Sequence, residues 1–193
     1  MRTAHIFWDN SNIHFVGLNQ VLKKVEPNVN PKLFRTYFKG LLQLASRNRK
    51  IGKLYMAGSI PPQTDSLWKH IRSQGIELEL LERTNNNKEN ANDVSIQAAM
   101  LRTMADNMGK DHIFVVLTGD GAGAALGTGF LADLERVHKF GFKIEVISWE
   151  SGCNRYLRSF AKKNGVFVPL ETHYNKVTFI EGGRSVEPFG MLI

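Results

Sequence analysis

The chain has one cysteine among 193 residues, no apolar run approaching the roughly 18 residues a membrane-spanning helix requires, and no His-Glu-x-x-His pattern among six histidines. Each shortage removes a class of protein. With Cys153 alone, no internal disulfide can form and no zinc site can be assembled from thiolates, so a reducing, cytoplasmic setting is expected. The apolar stretch at the start is cut off by Asp9, too early for the hydrophobic region of a signal peptide. His5, His14, His70, His112, His138 and His173 show no zinc-hydrolase spacing, and Cys153 has no paired base beside it, so these read as surface or packing residues.

What the chain does have is positive charge and a repeating alternation. Lys and Arg outnumber Asp and Glu by 25 to 18, a formal +7, which favours polyanionic partners such as nucleic acid. At this length one domain is expected, burying roughly 70% of its unfolded surface. Short β-branched and apolar runs alternate with helical patterns, the signature of βαβ units and a mainly parallel sheet, so the class is α/β. Candidate strands are Ala4–Trp8, Lys53–Ala57, Glu77–Leu81, His112–Leu117, Lys143–Ser148 and Val166–Val168. Candidate helices span about Pro31–Ser46, Thr64–Ser73, Asn92 onward, Thr128–Phe140 and Asn154–Asn164, the third with Val94, Ala98, Leu101, Ala105 and Met108 on its core face. The organisation expected is a domain over 1–170 and an extension over 171–193, folded as a short hairpin around Gly182-Gly183. The polar run Thr84–Asn92 reads as a connector or a substrate-contacting loop.

In parallel α/β sheets the functional crevice lies beyond the carboxyl ends of the strands, and three acids fall there. Asp9 ends the first strand, Asp120 follows the all-apolar Ile113–Leu117 in a Gly-Asp-Gly turn, and Asp93 opens the helix that leads into that strand. Singly, each suits an ordinary turn or helix cap; their shared edge is what points to chemistry. Two carboxylates about 4 Å apart repel by about 4 kcal/mol at an effective dielectric near 20. A fold that gathers three must protonate some or bind a cation, and an all-oxygen set selects Mg²⁺ or Mn²⁺. Asp133 lies on the flank of the face made by Phe130, Leu134 and Val137, about one turn into its helix, and is a fourth candidate. Lys88, five residues before Asp93, and the stripe Arg155, Arg158, Lys162 are candidate contacts for a phosphodiester backbone. A competing pattern is Gly119-Asp120-Gly121-Ala122-Gly123-Ala124, which formally fits a dinucleotide-binding turn with Glu150 as the ribose acid.

Taken in order, Ile6-Phe7-Trp8-Asp9-Asn10-Ser11-Asn12, Lys88…Asp93-Val94, Thr118-Gly119-Asp120-Gly121 and Gly141–Val146 resemble the NYN domains of the PIN-like nuclease superfamily over about residues 4–170. The resemblance implies a Rossmann-like α/β/α fold with strand order 3-2-1-4-5 and a divalent metal, Mg or Mn, held by Asp9, Asp93 and Asp120 for cleavage of RNA phosphodiesters. It assigns Asn12 to the family's asparagine after the first strand. Where many members carry Gly-Asp-Gly-Asp, this chain has Ala122 as the fourth residue. The Gly-Asp-Gly-Ala-Gly turn and the Phe130…Asp133-Leu134 helix are similar to a bacterial-type variant, which implies Asp133 as the substitute carboxylate. The expectation is a metal-dependent ribonuclease; the alternatives are a catalytically silent RNA-binding module on the same fold or a dinucleotide-binding protein. The sequence says nothing of oligomeric state, and a homodimer stays open.

Overall fold

Alternation along the strands dictates the layering. In the first strand, β1 (Thr3–Asp9), Ala4, Ile6 and Trp8 join one buried cluster while Phe7 joins another, so both faces of the strand are apolar. Such a strand is satisfied only between two layers of helix. The computed structural model describes residues 2–58, 66–73, 77–82, 89–123 and 127–190.

From β1 the chain enters α1 (Asn10–Val16), a π turn over Gly17–Val21 and α2 (Leu22–Val25), then β2 (Phe34–Thr36), α3 (Phe38–Ser46) and β3 (Ile51–Gly58). It continues through α4 (Ser66–Ser73), β4 (Glu77–Glu82), α5 (Glu89–Asp106), β5 (His112–Leu117), α6 (Gly129–Lys139) and β6 (Lys143–Ser148). The last elements are α7 (Arg155–Asn164), β7 (Val166–Pro169), α8 (Tyr174–Val177) and β8 (Thr178–Ile180). Six strands form one parallel sheet in the order β4-β3-β1-β5-β6-β7. Apolar residues of α1 to α4 and α8 pack on one face, with Trp8, Trp68 and Trp149 fully buried among them; those of α5, α6 and α7 pack on the other. This is a three-layer, Rossmann-like α/β/α arrangement.

Several expectations are corrected. The sheet exceeds the five-strand order by a sixth strand, β7, and its chain-order numbering is shifted by the interposed β2. Pro31 does open helical structure, but only the single 3₁₀ turn Pro31–Leu33; the chain then extends as β2 before α3. In the tail β8 pairs antiparallel with β2, Phe34 opposite Ile180, and beyond it the Ile180 amide donates to the Arg184 carbonyl at 2.9 Å. A turn at Gly182 does follow it. Helix α5 begins at Glu89, before Asn92, and its core face is Ile96, Ala99, Met100 and Thr103, with Val94 63% and Met108 55% exposed. Alanine explains the error: Ala98 and Ala105 make a second stripe look apolar, whereas Thr103 can be buried because its hydroxyl donates to the Ala99 carbonyl at 2.8 Å.

Two features fix the first helical segment. Gly17 lets it approach the sheet closely, since a Cβ there would stand 3.1 Å from both Phe34 and Trp149, and the Trp149 indole donates to the Ile13 carbonyl at 2.8 Å. At its far end Glu26 accepts from Tyr174 Oη at 2.6 Å and pairs with Arg184 at 3.2 Å.

Candidate active site

Strand β1 lies between β3 and β5, so the chain proceeds outward from it in one direction to β4 and in the other to β7. The carboxyl end of β1 beside β5 is therefore the topological switch point, where helices leave opposite faces and a crevice opens. Asp9, the last residue of β1, stands at that point. It is also the N-cap of α1: its Oδ1 accepts from the Asn12 amide at 3.0 Å and its Oδ2 from Thr118 Oγ1 at 3.2 Å. The crevice is a cavity of about 370 Å³, and Asp9, Asn12, Asp93 and Asp120 all line it. Carboxylates distant in sequence thus share one cleft: Asp9 from β1, Asp93 from α5 and Asp120 from the turn after β5.

The electrostatics follow from this convergence. Asp9 is 5% exposed, and its pKa is pushed up to about 7. Burial is the main cause; the negative fields of Asp93 and Asp120 push the same way, against the hydrogen bonds from Asn12 and Thr118. Asp9 therefore titrates near neutrality, a property that concentrates at functional sites.

The Gly119-Asp120-Gly121 turn is held on every side. The Gly119 amide donates to Asn12 Oδ1 at 2.7 Å, the Asp120 amide to Thr118 Oγ1 at 3.1 Å, and the Ala122 amide to Asp120 Oδ1 at 2.9 Å. The Asn154 amide donates to the Gly119 carbonyl at 2.8 Å, while Asn154 Oδ1 caps α7 through the amides of Tyr156 and Leu157. Glycine is required at 119 for room: a Cβ would stand 2.8 Å from Ser148 Oγ and 3.1 Å from the Gly152 carbonyl. Asn12 thus ties the start of α1 to the turn carrying Asp120.

Other expected residues are not brought together. Asp133 does not line the cleft; it is buried in α6 and accepts from Arg136 Nη1 at 2.6 Å, while Arg136 Nη2 donates to the Gly127 carbonyl at 2.6 Å. Burial raises its pKa more than Arg136 lowers it. Through Arg136 it is tied to Gly127, ahead of α6. Arg155 also stands outside the cleft lining, its guanidinium over the Tyr156 ring at 4.6 Å and bonded to the Tyr156 hydroxyl. Arg158 pairs with Glu150 at 3.5 Å, and Lys162 with the same carboxylate at 3.1 Å. Lys88 lies outside the described residues.

Among the described residues, no group of three His, Cys, Asp or Glu side chains stands at metal-ligand spacing. The donor chemistry nonetheless suits a hard cation: the acidic and amide side chains of the cleft offer oxygens, and Asp93 and Asp120 add a negative field to the burial that raises the pKa of Asp9. A cation that retains several waters, as Mg²⁺ does, fits carboxylates that share a cleft without closing on one point.

Sequence reasoning missed one wall of the cleft. Phe15, Asn19 and Gln20 line it from α1 and the π turn, a region with no predicted helix. The spacing Asn12, Phe15, Asn19 (i, i+3, i+7) is a helical stripe, but Gly17 and the π turn blur its period. Comparison with protein-family models, curated proteins and solved structures found no match.

Proposed function

We propose that this cleft hydrolyses RNA phosphodiester bonds with a bound Mg²⁺ or Mn²⁺, in the manner the resemblance to NYN domains implies. The observation that carries the reading is the meeting of Asp9, Asp93 and Asp120 in one cavity at the switch point of a parallel sheet. Those three carboxylates, in part through waters the ion retains, would hold the cation, which would polarise the phosphodiester and lower the pKa of an attacking water. Without the cation, burial and the fields of Asp93 and Asp120 hold the Asp9 pKa up to about 7, and a bound cation would offset that cost of ionising it. Asn12 and Thr118 fix the carboxylate of Asp9 and the turn bearing Asp120, so neither acid reorganises when substrate enters. The +7 charge favours a polyanion.

A dinucleotide site is disfavoured by the backbone. Among the described residues the helix that follows the glycine pattern, α6, begins only at Gly129, and Glu150 is engaged by Arg158 and Lys162. The silent RNA-binding alternative draws on Ala122 and the pairing of Asp133 with Arg136. Incubating single-stranded RNA with Mn²⁺ distinguishes the two. Wild type is expected to cleave, and Asp9→Asn and Asp120→Asn to lose about a hundredfold or more, the scale of removing a positioned catalytic group. Undiminished cleavage by both variants removes the assignment, and salt-sensitive binding without cleavage supports the silent module.

A further inference from the structure

Part of the cleft lining is not acidic. Phe15 is half-buried, yet it belongs to neither hydrophobic cluster, although its neighbours Val16 and Leu18 pack against one. Its ring meets only the His14 ring among the described aromatics, edge-on at 5.4 Å. One turn further, Asn19 and Gln20 are exposed, and no other side chain among the described residues engages either amide. All three line the same cavity as the carboxylates. Phe15 is three residues from Asn12, about 5 Å along the helix axis. This wall is held firmly, by the Trp149 bond to Ile13 and the close seat of Gly17.

An aromatic face beside free carboxamides is the chemistry that recognises an unpaired base. The ring stacks on the base, and the amides, each carrying donor and acceptor, pair with its edge. A base inside a duplex offers no free face, so such a wall selects single strands. π turns are also frequent at functional sites. We propose that Phe15, Asn19 and Gln20 form a nucleobase subsite that seats one unpaired nucleotide of an RNA strand beside Asp9, Asp93 and Asp120. The proposal deepens the ribonuclease reading and rests on it for the identity of the strand, while base binding itself requires neither metal nor cleavage.

The test uses the full chain in EDTA, with a short fluorescent single-stranded oligouridylate and an abasic oligomer carrying the same phosphates. Wild type is expected to bind the oligouridylate roughly tenfold to a hundredfold more tightly than the abasic strand, the scale of one base stacked on an aromatic ring. Phe15→Ala erases that preference and Phe15→Trp keeps it. Asn19→Ala with Gln20→Ala, at exposed positions, changes the ranking of oligoadenylate, oligocytidylate and oligouridylate without shifting the melting temperature. Equal binding of the base-bearing and abasic strands by wild type overturns the proposal, as does no binding of either, or a preference that survives in a folded Phe15→Ala. Should Phe15→Ala fail to fold, an unchanged ranking in the Asn19/Gln20 variant overturns it instead. Base preference without cleavage in Mn²⁺ defeats the nuclease reading alone; cleavage without base preference defeats the subsite alone.

Discussion

Asp9 and Glu145 are buried to nearly the same degree, on strands separated only by β5, yet their surroundings are opposite. Glu145, near the amino edge of the sheet, is met by two guanidinium groups, Arg47 at 3.1 Å and Arg49 at 3.0 Å. Arg49 also donates to the carbonyls of Ala45 and Ser46, so the ion pair fastens the turn between α3 and β3 to β6. Asp9, at the carboxyl edge, has hydrogen bonds from an amide and a hydroxyl but no ion pair among the described residues, and it faces two further carboxylates. One buried carboxylate is neutralised by arginines; the other is surrounded by like charge, and burial with that field raises its pKa to about 7. Burial alone therefore does not fix the state of an acid. The sign of its neighbours does.

Substitution can sharpen this contrast. Glu145→Ala would leave two arginines without their acid and should cost about 3–5 kcal/mol, measured as a fall in the urea midpoint. Asp9→Asn keeps the shape and removes repulsion from Asp93 and Asp120, so its urea midpoint should hold or rise. If both variants lose stability equally, the two acids are structural alike.

A second difference should appear with pH. In the metal-free protein, folded Asp9 keeps its proton up to about pH 7, whereas in the unfolded chain it ionises near pH 4. Between those values the folded state binds the extra proton, so stability should fall as pH rises from about 4 to 7, by up to a few kcal/mol, and then level off. Thermal unfolding across that range, repeated with Asp9→Asn, isolates the contribution, because the variant should lack that part of the slope. At pH 8, Mg²⁺ or Mn²⁺ at about a hundred times its Kd should restore about 3 kcal/mol to wild type and much less to the variant. The smallest effect is expected from Trp149→Phe. Losing the indole bond to the Ile13 carbonyl should cost about 1 kcal/mol in unfolding experiments and loosen the wall carrying Phe15.

The strands were legible in sequence because burial on both faces leaves little choice of residue: Ile113–Leu117 and Ile144–Ile147 admit few readings. The three aspartates were legible because parallel topology sends strand ends to one edge. Asp133 stands outside the cleft lining and pairs with Arg136, one turn on, a partner that helical angle alone does not reveal. Strands β2 and β8, of three residues each, are too short for periodicity to register, and their pairing spans Phe34 to Ile180. The helical run after Asp9 was hidden because Gly17, needed for close approach to Trp149, is locally a helix-weakening residue.

The bond between Glu26 and the pair Tyr174 and Arg184 alters what the end of the chain means. Tyr174, Val177 and Ile180 are core residues, and Glu26 closes the helical run that carries Phe15 and Asn19. The closing stretch of polypeptide is therefore a girder for the cleft-bearing face and not an ornament appended to it. Trimming the protein at residue 170 would strip apolar mass from one side of the sheet and unmoor the helical run that carries Phe15 at its distal end.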